Sequence, residues 1–195
     1  MSQTVCSRIA ADILVNCTNP VFGGTQDTLW IINYDDYNNA VITYNTQNPL
    51  IIENIVLPSA AKAYMIQGQD NSNLPKQTML KKGFSRVFDH QVEFKTFSLN
   101  PTVKAQLEGV LRGKFVVICE NVYKGDNGEA AFEVYGTGAG LICSKLDRDP
   151  GSADTQGVYD IILKTSDKAS ENHFPLSYFK TSYAATLALI QGITA

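Results

Sequence analysis

Four β-like segments follow one another between residues 114 and 165, and they restrict the fold of this chain more than any other feature. They are KFVVICENVY at 114–123, AAFEVYG at 130–136, GLICSKL at 140–146 and VYDIILKT at 158–165. The connections KGDNG, GTGAG and DRDPGSADTQG are rich in Gly, Asp, Asn and Pro, which favour turns. The pattern predicts two closely spaced hairpins followed by a longer return strand, and with them a mainly β (α+β) fold.

A capped helix is predicted immediately before these strands, over residues 101–112. Asn100 is a favourable cap, Pro101 suits the first helical position, and Gly113 follows the last apolar residue. The apolar side chains recur on one face of this helix, so we expect it to lie across the sheet and close one side of the core. The segment TSYAATLALIQG at 181–192 is a possible terminal helix, with an edge strand as the alternative.

The first half of the chain contains further strand candidates at 28–34, 40–45, 49–57 and 61–69. Residues 70–82 are polar at the start and show no sustained period, so they are predicted to form an exposed loop. Residues 83–99 alternate well and predict a long strand, with Phe88, Val92 and Phe94 on one face. Residues 1–18 fit a helix or a strand equally. No linker or repeat interrupts the chain, which predicts one β-rich structural domain over 1–195.

Charge and cysteine usage narrow the possible functions. The net charge is −3 and charged residues make up 18% of the chain, without a basic run, which argues against strong binding to a nucleic-acid backbone. The start of the chain has no signal-peptide pattern and no apolar run is long enough for a membrane span, so we expect no membrane contact. The four cysteines form no CxxC pair and have no nearby His, so buried thiols are favoured over zinc ligands or a disulfide.

Two motifs invite a ligand but have simpler explanations. Gly136, Gly138 and Gly140 follow a strand, as in a phosphate-binding loop, but a β segment follows where such a loop needs a helix. A bend between strands is therefore the better interpretation. Asp147, Asp149 and Asp154 are a conceivable cation site, yet their spacing matches no EF-hand loop, which favours a solvated acidic loop. We expect no cofactor and no resident metal.

The chain also lacks a recognisable catalytic motif. Its two histidines, His90 and His173, have no GxSxG nucleophile motif to serve, so a histidine within a sheet or an interface is favoured over a catalytic base. Most aromatic residues stand among aliphatic neighbours in predicted strands, which favours core packing over base stacking. We therefore expect a protein that is not an enzyme.

The order of these segments resembles a known family. A capped helix, KFVVICEN, GDNG, FEVYGTGAGL, DPGSADTQG and VYDIILKTSDKASENHFPL follow one another as in the C-terminal half of virion structural proteins from tailed bacteriophages, particularly crAss-like and related phages of Bacteroidetes. The opening CTNPVFGGTQDTLWIINYDDY is also similar to the start of such proteins. The positions that carry the resemblance are Gly136, Gly138, Gly140, Gly151, Ser152, Asp154, Gly157, Glu171 and Pro175.

This resemblance implies a β-sandwich or barrel-like fold of the tail-tube type and a non-catalytic role. The subunit would form a homo-oligomeric ring of the tail or neck, part of the channel for genome passage during ejection, after assembly in the host cytoplasm. Its partners would be other tail, neck or portal proteins, with transient contact to viral DNA in the lumen. The interface candidates are Val92, Phe94, Phe88, Gly136, Gly138, Gly140 and Asp154.

Two other classes of function remain open from the residues alone. One is a ligand- or carbohydrate-binding β-sandwich module, which predicts a monomer with a defined pocket. The other is an enzyme on a β scaffold, supported only by scattered His, Asp and Cys residues. The solution mass of the protein separates the first of these from a ring subunit.

Overall fold

An open mixed β-sheet occupies most of the described chain, which covers residues 12–13, 17–152 and 157–195 of this computed structural model. The mainly β fold class is thereby confirmed. The strands are β1 (Thr25–Asn33), β2 (Val41–Tyr44), β3 (Ile51–Val56), β4 (Ala63–Gln67), β5 (Leu74–Lys82), β6 (Ser85–Thr96), β7 (Lys114–Asn121), β8 (Phe132–Tyr135), β9 (Leu141–Arg148), β10 (Tyr159–Thr165) and β11 (Leu176–Tyr178). The helices are α1 (Tyr34–Asn38), α2 (Pro101–Arg112) and α3 (Tyr183–Gly192).

The strands are ordered around β7. The main path through the sheet runs β2-β3-β11-β8-β7-β9-β10-β6-β5, and β1 pairs with β7 and with β4. Strand β11 lies parallel to β3, whereas every other pair of strands in the described chain is antiparallel. Strand β7 is thus paired on both edges, and six of its eight residues are buried.

Strands β8 and β9 follow each other along the same edge of β7. Tyr135 at the end of β8 pairs with Val117, and Leu141 at the start of β9 pairs with Phe115. Residues 136–140 are therefore a loop that leaves this edge and returns to it. The predicted hairpin between β7 and β8 is confirmed, but the second predicted hairpin, between β8 and β9, is wrong. Because β8 and β9 both pair with β7 along the same edge, the loop 136–140 joins them without reversing the direction of the chain.

Two apolar cores lie on opposite faces of the sheet. The alternation of β7 supplies both, with Val116 and Ile118 in the first core and Val117 and Cys119 in the second. The first core is covered by α3, whose Ile190 is fully buried, so the possible terminal helix is confirmed. The second core is covered by α2.

The sheet curls around the second core. Leu29 of β1 and Phe94 of β6 belong to the same buried cluster, although β7, β9 and β10 lie between their strands. Helix α2 contributes Leu107 to this cluster, and its predicted bounds and cap are confirmed, since the Asn100 side chain accepts a hydrogen bond of 2.8 Å from the Val103 amide. A side chain from a helix laid across the curl thus completes the core, as the amphipathic pattern predicts.

The predicted loop over 70–82 is largely wrong, because Leu74–Lys82 forms β5 and pairs along its whole length with β6. Only the connection around Asp70 and Asn71 is a turn, with both residues at positive φ. The interpretation as a loop relied on the missing apolar period, and a strand that buries neither face has no such period. The ambiguous segment 1–18 falls mostly on residues 1–11 and 14–16, outside the described residues.

Candidate functional site

The hairpin of β5 and β6 extends beyond the rest of the sheet. Its two strands pair from Leu74 opposite Glu93 to Lys82 opposite Ser85. Strand β10 pairs with β6 only between Gln91 and Thr96. The outer half of the hairpin is therefore a two-stranded ribbon, and an isolated ribbon of this kind is marginally stable in water.

The tip of this hairpin presents apolar side chains to solvent. The turn consists of Gly83, at φ +60°, and Phe84, an arrangement typical of the two-residue type II′ turn. Phe84 is fully exposed, and Met79 and Leu80 behind it are exposed as well. We call residues 79–87 the hairpin tip. Burying one large apolar side chain is worth about 1.5–3 kcal/mol, so the tip offers binding energy that the monomer does not use.

The segment 166–174 holds the hairpin in place. The Lys82 ammonium donates hydrogen bonds to the carbonyls of Asp167 and Ala169 at 2.9 and 3.1 Å. The backbones of Phe88 and Glu171 exchange two hydrogen bonds of 2.8 and 3.0 Å. The ring of Phe88 also packs at 4.6 Å, centroid to centroid, on a neighbouring phenylalanine ring in this segment. These contacts fix the direction of the ribbon before any partner arrives, which lowers the entropic cost of binding.

The glycine-rich loop 136–140 binds the side chain of Glu171. The amides of Gly138 and Ala139 donate to the two carboxylate oxygens at 2.9 and 2.7 Å, and Glu171 is only 3% exposed. A Cβ at Gly138 would lie 2.7 Å from this carboxylate, so any larger residue would have to displace the hydrogen-bonded Glu171 side chain. Positive φ angles at Gly136 and Gly140 agree with the predicted bend. This loop therefore receives an internal anion where a nucleotide-binding loop would receive a phosphate.

His90 lies next to this loop and is kept neutral. Its Nδ1 accepts a hydrogen bond of 3.3 Å from the Gly136 amide, so the ring proton resides on Nε2, which lies 3.1 Å from the His173 carbonyl. Burial lowers the pKa of His90, although the nearby Glu171 carboxylate acts in the opposite direction. Both ring nitrogens are engaged within the protein, so the ring is a structural element of this cluster.

A cleft of about 970 Å³ opens between α2, β4 and the end of β6. Its lining is uncharged and mostly apolar, and includes Ile66, Val103, Val110 and Phe115. Thr96 also lines it, is 8% exposed, and has a hydroxyl group without a hydrogen-bond partner. The volume lies within the range of about 300–1,000 Å³ that binding clefts occupy. We call this space the α2 cleft.

A second cleft of about 440 Å³ lies beside the glycine-rich loop. Tyr44, Thr137 and His173 contribute to its walls.

In the described part of the chain, no three His, Cys, Asp or Glu side chains come together as possible metal ligands. Over the same residues, no helix has the length and apolar character needed to cross a membrane.

The predicted interface residues occupy different environments. Val92 and Phe94 are 0% exposed in the second core, so their side chains are not available to a neighbouring subunit. Phe88 lies half-buried at the base of the hairpin, close to the loop that contains Gly136, Gly138 and Gly140. Asp154 lies outside the described residues.

The buried Cys119 thiol has a raised pKa, because desolvation disfavours the thiolate.

Sequence reasoning missed Phe84 and Met79, the most exposed large apolar residues of the tip. A signal for them was present, because Gly83-Phe84 separates two paired segments as a two-residue turn with glycine first. That signal was obscured because β5 carries no alternating apolar pattern. The pairing of β5 is visible only from the hydrogen bonds that β6 offers.

Comparisons with known proteins identify no relative. No protein family, no curated protein and no solved structure matches this chain. The function therefore has to be argued from the surfaces and clusters described above.

Proposed function

We propose that this chain is a non-catalytic structural subunit that assembles with copies of itself into a ring of a bacteriophage tail or neck. The observation that supports self-assembly most directly is the hairpin tip. It exposes Phe84, Met79 and Leu80 on a ribbon that segment 166–174 holds in place. An apolar tip with a fixed direction suits a protein partner, because binding then buries the exposed area with little additional ordering.

Open strand edges give a second line of support. Strands β2 and β5 each pair with one strand only in the described chain, which leaves one edge of each unpaired. The second edge of β4 is covered only at Ala63, by residues 193–195. Unpaired edges promote aggregation unless they are protected or used. Their use for strand addition between subunits would convert these edges into specific contacts. Strand β5 combines an open edge with exposure on both faces.

The resemblance to phage virion proteins supplies the setting of this proposal. In that setting the fold is of the tail-tube type, and the partners are other tail, neck or portal proteins. Viral DNA passes through the ring and contacts it transiently. A net charge of −3 suits a channel that does not hold the DNA backbone tightly.

The decisive measurement is the mass of the purified chain across a concentration series. We expect rings or short tubes by light scattering after size exclusion and by negative-stain electron microscopy. Replacing Met79 by Lys should reduce the assembled fraction, because a charge then occupies the proposed contact. Met79 is 56% exposed, so the monomer should tolerate this change.

The matched control is Val21→Lys, at an apolar side chain before β1 that is 79% exposed and lines neither cleft. It should leave the mass distribution unchanged. A wild-type chain that stays monomeric at its highest soluble concentration would count against the proposal. Binding of a glycan in one of the two clefts of such a monomer would support the ligand-binding module instead.

A further inference from the structure

The hairpin tip and the α2 cleft lie at opposite ends of one strand. Strand β6 begins beside Phe84 and ends at Thr96, which lines the cleft. Its 12 residues extend for about 40 Å at about 3.3 Å per residue. A hairpin tip therefore cannot enter the cleft of its own subunit, and any contact between the two must join different copies.

The two surfaces complement each other in polarity. The tip offers a fully exposed phenylalanine, and the cleft offers apolar walls that are open to solvent. An aromatic anchor in a preformed apolar cleft is a typical arrangement at a binding hot spot.

They also complement each other in charge. Lys81 and Arg86 flank the turn, and the segment from Leu74 to Phe88 contains no acidic residue. At one end of the cleft, Gly68 hydrogen-bonds to the backbone of Asp27, and Gln69 precedes Asp70. The charged residues of α2 do not contribute to the cleft lining. The turn that follows Gln69 holds both acids, since the Asp27 carboxylate accepts a hydrogen bond of 3.0 Å from the Asn71 amide. A basic tip that approaches this turn is favoured electrostatically.

We propose that the hairpin tip of one copy docks into the α2 cleft of a second copy, with Phe84 as the anchor. This docking rests on the proposed function, because it supposes self-assembly. The contact joins two different surfaces and is therefore heterologous, so its repetition closes a ring or extends a stack according to the rotation between copies.

Two substitutions separate the two halves of this contact. Phe84→Glu removes the anchor from a fully exposed position, so folding should be unaffected. Gly109→Leu fills the cleft from α2, where an added Cβ meets no atom within 4 Å and leucine is the better helix former. In sedimentation velocity, each variant alone should associate at least about tenfold more weakly than wild type. Circular dichroism and thermal melting verify that both remain folded.

An equimolar mixture of the two variants provides the sharpest test. The Gly109→Leu copy keeps an intact tip and the Phe84→Glu copy keeps an intact cleft, so the mixture should form a dimer that cannot extend. Wild-type chains that assemble while both variants reach the same mass would overturn the docking but not the self-assembly. The docking is also overturned by a mixture that stays monomeric. Monomeric wild type would overturn the docking together with the proposed function.

Discussion

Glu171 joins two parts of the molecule that are distant in sequence. Its backbone holds Phe88 at the base of the hairpin, and its buried carboxylate accepts the amides of Gly138 and Ala139. A carboxylate that accepts two backbone hydrogen bonds in a buried site orders both segments at once. Glu171 therefore couples the position of the hairpin to the shape of the glycine-rich loop.

Replacing Glu171 by Gln should destabilise the fold by about 1–3 kcal/mol, because an amide NH₂ group would face a backbone amide that needs an acceptor. Urea unfolding of the two proteins measures this difference. The exposed Glu108→Gln on α2 is the matched control and should change the free energy of unfolding by less than about 0.5 kcal/mol. Equal effects of the two substitutions would show that the Glu171 contacts contribute no net stability.

His90 should make the fold sensitive to mild acid. Burial lowers the pKa of His90 in the folded state, so below the unfolded value of about 6.5 the unfolded chain binds more protons. The free energy of unfolding should therefore decrease as the pH falls through about 6.5, since a charged ring cannot accept the Gly136 amide.

The measurement is the free energy of unfolding between about pH 8 and pH 5, the range in which an ordinary histidine titrates. In His90→Gln this dependence should become shallower. The exposed His173→Gln is the control, because it removes a histidine and leaves the His90 ring in place. If His90→Gln keeps the full wild-type slope, the acid sensitivity has another origin.

At the scale of elements, α2 shows how far local signals reach. Its cap, its first-turn proline and its apolar stripe are all encoded within the helix and next to it, so its bounds could be predicted. The hairpin shows the opposite case. Strand β5 has almost no buried side chain, and only its partner specifies its conformation.

Two substitutions in α2 should change stability in opposite directions. Asn100→Ala removes the hydrogen bond to the Val103 amide and should cost about 1 kcal/mol. Gly109→Ala should increase the free energy of unfolding by up to about 1 kcal/mol, since Gly109 is exposed to solvent within the helix and has room for a Cβ. Urea unfolding of both variants checks the signs. A loss of stability in Gly109→Ala would mean that the helix backbone needs glycine there.

The sheet as a whole could be predicted only in part. Strands β7, β9 and β10 carry their own β composition, so their presence could be read from the sequence. The pairing could not, because the loop 136–140 has the composition of a hairpin turn and yet joins two segments on one edge of β7. The contact between Glu171 and this loop depends on that pairing. The sequence alone therefore does not predict that the Glu171 carboxylate binds the glycine-rich loop.

Hydrogen exchange should divide the molecule into a slow centre and a fast periphery. The amides of β7 should exchange most slowly, because strands on both edges and two cores protect them. The hairpin tip should exchange quickly in the monomer and become protected in the proposed assembly. Mass spectrometry at two protein concentrations tests both statements, and a tip that exchanges equally fast in assembled rings would exclude it from the contact.

Strand β11 places a condition on when this protein can fold. It lies between β3 and β8 and is parallel to β3, and residues 193–195 hydrogen-bond to Ala63 at the start of β4. The first core stays open until these late segments have left the ribosome, so the sheet must close after most of the chain has been synthesised. A nascent chain therefore cannot complete the fold in stages from its start. Only a chain synthesised through α3 has both a closed core and a hairpin fixed in direction, so unfinished chains would be unfit for the proposed assembly.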